Sequence, residues 1–393
     1  MNKKLFIPIA LCSVIVVIVI KSLVGASNNI KIEWEKTVIP TFINDSIDLK
    51  VYVENSGSMD AYMCPGSDLK NVVFDYISDI EKEVSCDSLF YINRKRIPYK
   101  GNLESFIKDL TPQSFANAGG DRSNTDLMKI FSDIMKFHNQ NTVSILVSDC
   151  ILDIPQDAKN FFGMCQVSIK NTFNEALSKN PYLGVMIIQL ESKFNGFWFS
   201  GKNSKKLTNV KRPYYIWVIG DQRILARINK NVKIDDVISG IKNYCAYAGS
   251  QKIPFTFEKS LFKVNHDKIK VEIIANLLSS LQSELIIGNI GNYKSSNPAQ
   301  TSVTSVQKMQ VKDSPYSHVI ELEITNPETA KEENITFSYP YLASWVEASN
   351  DSTGTIDNNM DKTTGILYLV KGVAEAYKSH LEYGTIAFNL KNK

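Results

Sequence analysis

Five oxygen-bearing side chains carry the chemistry legible in this chain: Glu54, Ser56 and Ser58 close together, and Thr125 and Asp149 far along the sequence. Carboxylates and hydroxyls are hard ligands, and Mg²⁺ or Ca²⁺ needs several of them with room left for water. The run Leu49-Lys50-Val51-Tyr52-Val53-Glu54 has the β-branched and aromatic content of a strand. It breaks abruptly into Asn55-Ser56-Gly57-Ser58, as strands do where they end in a loop. Asp149 closes an almost unbroken apolar run, Thr142 to Ser148, and such a run suits a strand buried on both faces. Thr125 stands before a helical stripe of Leu127, Ile130, Phe131, Ile134 and Met135, after the polar, glycine-bearing stretch Ala116 to Asn124. In a parallel α/β sheet all three places open on one carboxyl edge, where ligands bind.

The elements that must position these residues follow from alternation. Between about 45 and 245, strand patterns at Ile47–Val53, Ser88–Ile92, Thr142–Ser148, Leu183–Leu190 and Tyr214–Ile219 are interleaved with helical stripes. That order predicts an α/β fold, a doubly wound and mostly parallel sheet with helices on both faces. From about 250 to 393 the pattern changes to strands separated by polar loops, at Thr256–Val264, Ile269–Ala275, Ser317–Thr325, Asn334–Tyr339 and Gly384–Leu390, with a helix over Thr364–Leu381. A β-rich second domain is expected there.

The residues at the sheet edge resemble the metal-ion-dependent adhesion site of von Willebrand factor type A domains. The family's first motif is Asp-x-Ser-x-Ser after the first strand; here it reads Glu54-Asn55-Ser56-Gly57-Ser58-Met59, with Glu54 one methylene longer than the family's Asp. Thr125-Asp126-Leu127 is similar to the threonine motif, and Leu146-Val147-Ser148-Asp149-Cys150 to the strand that ends in Asp. The resemblance covers about half the chain. It implies a type A fold over 45–245, a Mg²⁺ or Ca²⁺ ion held by Glu54, Ser56, Ser58, Thr125 and Asp149, and a protein partner whose carboxylate completes the coordination.

The amino-terminal segment predicts export of the rest of the chain. Lys3 and Lys4 precede an apolar run from Leu5 to Ile20, and Val24-Gly25-Ala26 stands before polar Ser27. The segment 1–26 is either an uncleaved membrane anchor or a signal peptide cleaved after Ala26, and both export the remainder. The expected location is the cell membrane, single-pass with the bulk of the chain outside, or else a secreted or periplasmic protein. Cys64, Cys86, Cys150, Cys165 and Cys245 then lie in an oxidising compartment, where an odd number leaves one thiol unpaired. A net charge of +3, from 44 basic and 41 acidic residues, offers no field for nucleic acid.

Other motifs fail on chemistry. Gly196, Gly201 and Lys202 have Walker A spacing, but Asn203 replaces the required hydroxyl and Phe197-Trp198-Phe199 suits a strand. Asp357, Asn359 and Asp361 begin like a calcium loop, but Lys362 stands where Gly is needed and Tyr368 where the bidentate Glu belongs. Ser56 lacks the glycines of a nucleophile elbow, so no enzyme is expected. The reading is an exported binding protein that engages a protein partner through a divalent cation. Its alternatives are a cell-envelope scaffold with a degenerate site and, less favoured for want of a general base, a metal-assisted hydrolase.

Overall fold

In the computed structural model, seven strands form the central sheet, and the site loops leave its edge. The structure describes residues 30–34, 46–123, 125–154, 160–200, 203–232, 240–249, 255–265, 267–309, 316–330, 332–357 and 359–392. The apolar segment 1–26 lies outside them. Among the described residues no helix is long and apolar enough to cross a membrane.

The first described strand, β1 (Ile30–Trp34), lies in what reads by sequence as a polar linker. The central sheet follows, from β2 (Asp48–Glu54), β3 (Ser85–Ile92), β4 (Arg96–Pro98), β5 (Thr142–Ser148), β6 (Leu183–Ser200), β7 (Asn203–Asp221) and β8 (Ile241–Ala248), in the order β4-β3-β2-β5-β7-β6-β8. β2 is parallel to both β3 and β5. The other pairs, β3–β4, β5–β7, β7–β6 and β6–β8, are antiparallel. The sheet is therefore mixed, with β2, β3, β5 and β6 sharing one direction. Its second half departs from repeated βα units because β6 and β7 form one long hairpin, paired from Leu183↔Asp221 to Ser200↔Asn203. Two-residue alternation says that a strand exists but not which way it runs.

All seven residues of β5 are buried, so layers cover both faces at the centre of the sheet. The α1 helix (Leu69–Ile80) buries the stripe Leu69, Val72, Val73, Tyr76, Ile77 and Ile80, the i, i+3, i+4 spacing of an amphipathic helix. The next helices are α2 (Leu103–Lys108) and α3 (Pro112–Ala118). By sequence Asn102–Leu110 reads as a short helix stopped by Thr111 and Pro112; α2 does end before them, and they also start α3, Thr111 capping the Ser114 amide and Pro112 in the first turn, where its missing N–H costs no hydrogen bond. α4 (Leu127–Lys136), α5 (Phe161–Lys179) and α6 (Gln222–Asn231) complete this half. Phe131 of α4 meets Trp217 of β7 edge-on at 4.7 Å between centroids.

The remaining strands are β9 (Phe255–Asn265), β10 (Lys268–Ala275), β11 (Tyr293–Ser295), β12 (Thr301–Lys308), β13 (His318–Thr325), β14 (Glu332–Ser338), β15 (Asn350–Asp351), β16 (Thr363–Thr364) and β17 (Glu382–Asn392). With β1 they build two antiparallel four-stranded sheets, β12-β13-β10-β9 and β1-β17-β14-β11. β10 and β13 alternate buried and half-buried residues along their length, the pattern of a sheet with one face on a core. Ser283–Ile287, a weak strand candidate by sequence, contains a short helix, Glu284–Ile287.

The chain between β14 and β17 returns to the α/β layer. Its helix Ile366–Ala376 lies against α5, where a Cβ on Gly372 would come within 2.7 Å of the Gln166 carbonyl and 2.8 Å of Ile169 Cβ. Tyr368 stacks on Phe162 at 4.5 Å, and the Tyr377 hydroxyl donates to the Leu183 carbonyl at 3.0 Å.

Candidate functional site

The site is built where β2 and β5 end side by side. The loop after β2 is held by its neighbours: Asn55 N–H donates to the Ile92 carbonyl at 3.0 Å, and Gly57 N–H to the Arg122 carbonyl at 3.0 Å. Asn93, fully buried just past β3, donates to Asn55 Oδ1 at 3.0 Å and to the Gly119 carbonyl at 3.1 Å. Gly120 sits beside it with φ +82°, and a Cβ there would come within 2.5 Å of the Asn93 amide. Only glycine tolerates both the backbone angle and the approach. Asn93 and Gly120 thereby join the two loops that carry Ser56, Ser58 and Thr125.

Glu54, Ser56, Ser58 and Thr125 line one cavity of about 200 Å³. Glu54 is 1% exposed, and both carboxylate oxygens accept from hydroxyls: Thr125 Oγ1 at 3.0 Å to Oε1, and Ser148 Oγ to Oε2. Ser56 Oγ and Ser58 Oγ share a hydrogen bond of 3.0 Å. Thr125 is not the cap of α4; Asp126 is, accepting from the Lys129 amide at 3.0 Å. The Thr125 hydroxyl is thus left to face Glu54.

Asp149 is not among the residues that line this cavity. It is 1% exposed; Oδ1 accepts from the Ile151 amide at 3.3 Å, and Oδ2 has no hydrogen-bond partner in the protein. The chain turns sharply after it, Cys150 taking φ 55° while its thiol accepts from Trp217 Nε1 at 3.2 Å. A non-glycine residue in the left-handed region holds backbone strain. The turn brings in Asp153, whose carboxylate lines the cavity and accepts from the Thr125 amide at 3.0 Å.

The electrostatics follow from crowding. Burial raises the Glu54 pKa, and the Asp149 charge raises it further, against the hydroxyls of Ser148, Ser56 and Thr125. Burial likewise raises Asp149, opposed by the Ser58 hydroxyl, the Ile151 amide and the Arg212 charge. Asp153 is pushed up to about 6, chiefly by burial. Two buried carboxylates near one another favour protons or a cation. Arg122 lines the same cavity, but its guanidinium is engaged with Asp60 and with the Asn55 carbonyl at 2.9 Å. Among the described residues no three His, Cys, Asp or Glu side chains are grouped for metal. The donors are mostly hydroxyls, a set suited to a hard cation that keeps water, not to zinc.

The sequence pointed to Glu54, Ser56, Ser58 and Thr125 among the cavity's lining residues, with Gly57 in the same motif; Arg122, Ser123, Ile151, Asp153 and Phe199 line it as well and were not singled out. Asp153 carried a usable signal, being a carboxylate four residues after a strand-ending Asp. Phe199 carried none, since only the β6–β7 hairpin folding back over the Ser56–Ser58 loop brings it there. Cys64, Cys150, Cys165 and Cys245 are free thiols; the side chain of Cys86 lies outside the described residues.

The fold and site define an α/β unit with a mixed sheet and an acidic, hydroxyl-lined cavity at its edge. Comparison with protein-family models, curated proteins and solved structures finds no match for the chain.

Proposed function

We propose that the chain is an exported, membrane-anchored binding protein of type A-like design, which holds Mg²⁺ or Ca²⁺ in the sheet-edge cavity and engages a protein partner through it. The observation that carries this reading is the convergence of Glu54, Ser56, Ser58 and Thr125, up to 71 residues apart, on one cavity. When bound, the cation supplies an open coordination position for a partner's carboxylate. This chain's residues hold it: Glu54 neutralises charge, and the three hydroxyls fix the position.

A second reading, an envelope scaffold with a degenerate site, is favoured by the Glu54 carboxylate, whose two oxygens are both already satisfied by Thr125 and Ser148. Titration of the full-length chain with Mg²⁺ and Ca²⁺ by calorimetry separates the two. The binding reading expects saturable cation uptake that Ser56→Ala/Ser58→Ala removes while the thermal transition is kept. Absence of uptake by the unsubstituted chain leaves the scaffold.

A further inference from the structure

The β6–β7 hairpin outruns the sheet that carries it. β8 pairs with β6 only as far as Leu190 and β5 with β7 only as far as Tyr215, whereas β6 and β7 stay paired with each other from Glu191↔Pro213 to Ser200↔Asn203. The excess lies beyond Ser148, the carboxyl end of β5, so it extends from the edge that holds the cavity. It is held down there: a Cβ on Gly196 would come within 2.7 Å of Ala61 Cβ in the 3-10 helix Met59–Met63, and Tyr62 meets Phe194 edge-on at 5.0 Å. Between Glu191 and Pro213 the chain carries five lysines and one arginine against one glutamate, an excess larger than the net charge of +3 on the whole protein. The arm is a local concentration of positive charge.

Phe197 and Phe199 are two apart on β6, so their side chains share one face. Their rings stack at 6.2 Å between centroids and remain 52% and 38% exposed. Phe199 lines the cavity, where a Cβ on Gly57 would lie 3.8 Å from its ring. Lys206 is paired directly across from Phe197 and is exposed, and directly opposed residues share a face. Trp198, pointing the other way, is 2% exposed, and its cross-strand neighbour Lys205 is paired with Asp357. The arm thus presents an aromatic shelf that runs into the cavity, with a lysine at its rim. We propose that this shelf reads the partner, and that the partner offers an extended acidic segment of protein. One carboxylate of that segment enters the cavity, an apolar side chain two residues along it lies on Phe197 and Phe199, and a further carboxylate meets Lys206. The carboxylate in the cavity rests on the cation reading above; the shelf and Lys206 do not. Residues two apart on an extended chain are about 6.7 Å apart, the same step as from the ring in the cavity wall to the ring beside it. The tip of the arm, Ser200-Gly201-Lys202-Asn203, is polar, which suits a surface contacted from its side and not an apolar tip driven into lipid.

The test uses the full-length chain and blocked heptapeptides read by fluorescence anisotropy, in Mg²⁺ and in chelator, beside calorimetric uptake of Mg²⁺ alone. One peptide has Asp followed at the second position by Phe, one has Ser in place of that Phe, and one adds two Asp beyond the Phe. In Mg²⁺ the Phe peptide is expected to bind about ten-fold tighter than the Ser peptide. Phe197→Ser should remove that preference while Mg²⁺ uptake and the thermal transition are kept, since Phe197 is exposed and is not among the residues that line the cavity. The added Asp residues should strengthen binding by about three-fold, an increment lost in Lys206→Glu and in raised salt. A chain that takes up Mg²⁺ but binds the Phe and Ser peptides equally, or a preference that survives Phe197→Ser, overturns the shelf and leaves the cation reading standing. A Phe preference lost in Phe197→Ser, in a chain with no Mg²⁺ uptake, keeps the shelf and overturns the cation reading. An increment unchanged by Lys206→Glu overturns the role of Lys206. Absence of peptide binding overturns the proposal, and binding of phosphatidylserine vesicles in its place, lost in Phe197→Ser, assigns the arm to a membrane surface.

Discussion

The Thr125 hydroxyl donates to Glu54 Oε1 at 3.0 Å, joining residues 71 apart in sequence across the carboxyl edge of the sheet. The bond matters because Glu54 is buried near Asp149, whose charge makes it harder to ionise. Glu54→Gln keeps the shape and removes the charge. In chelator at about pH 8 it should raise the thermal transition, by relieving charge repulsion in the folded state. Its cation affinity should fall by about ten-fold or more. Differential scanning calorimetry and cation titration read the two effects, and they should have opposite signs.

The same raised pKa sets a pH dependence. Burial pushes Glu54 from its ordinary 4.5 up to about 8. The folded state therefore holds more protons than the unfolded chain between those values, and its stability falls as pH rises through that window. A cation competes with those protons, so binding strengthens over the same interval, and Asp153, at about 6, adds to the lower part of it. Unfolding with and without Mg²⁺ at a series of pH values should show the two curves separating as pH rises. Curves that stay parallel from about pH 5 to about 8 would contradict the assignment.

Asn93 is not among the residues that line the cavity; it holds the loops beside it, donating to Asn55 Oδ1 and the Gly119 carbonyl. Asn93→Ala leaves these buried acceptors unpaired, and about 1–3 kcal/mol of stability should be lost. Cation affinity should fall as well, since Ser56 and Thr125 lie on the two loops it joins. Denaturant unfolding gives the first quantity and calorimetric titration the second.

The helix Ile366–Ala376 reaches α5 through Gly372, which leaves no room for a methyl group against Gln166 and Ile169. Gly372→Ala should cost about 1–3 kcal/mol by overpacking, despite the better helix propensity of Ala. Hydrogen exchange should then quicken in both this helix and α5. An alanine variant as stable as the parent would mean that the two helices slide apart at little cost.

Some of this was legible in the sequence for a local reason. The run Thr142–Ser148 is apolar at nearly every position because both faces of β5 are covered. The stripe in α1 repeats at helical spacing because one side of that helix meets the core. The chain breaks into small polar residues after Glu54 because the strand ends there, so Glu54, Ser56 and Ser58 could be placed on an edge from residue types alone. The distant Thr125 followed from the resemblance and the helix after it.

What the sequence by itself determined about this protein is where strands and helices form and which oxygens stand at their ends, since periodicity and chain-breaking residues act over a few neighbours. Tertiary structure alone decided the rest. The direction of β7, antiparallel to β5, depends on the β6–β7 hairpin closing back on itself. The strand pairing of Ile30–Trp34 depends on β17, more than three hundred residues later. Which aspartate faces the cavity depends on the left-handed turn at Cys150, which carries the chain past Asp149 and brings Asp153 inward. Each of these is a contact between segments remote in the chain, and no local pattern of residues records which distant partner will satisfy it.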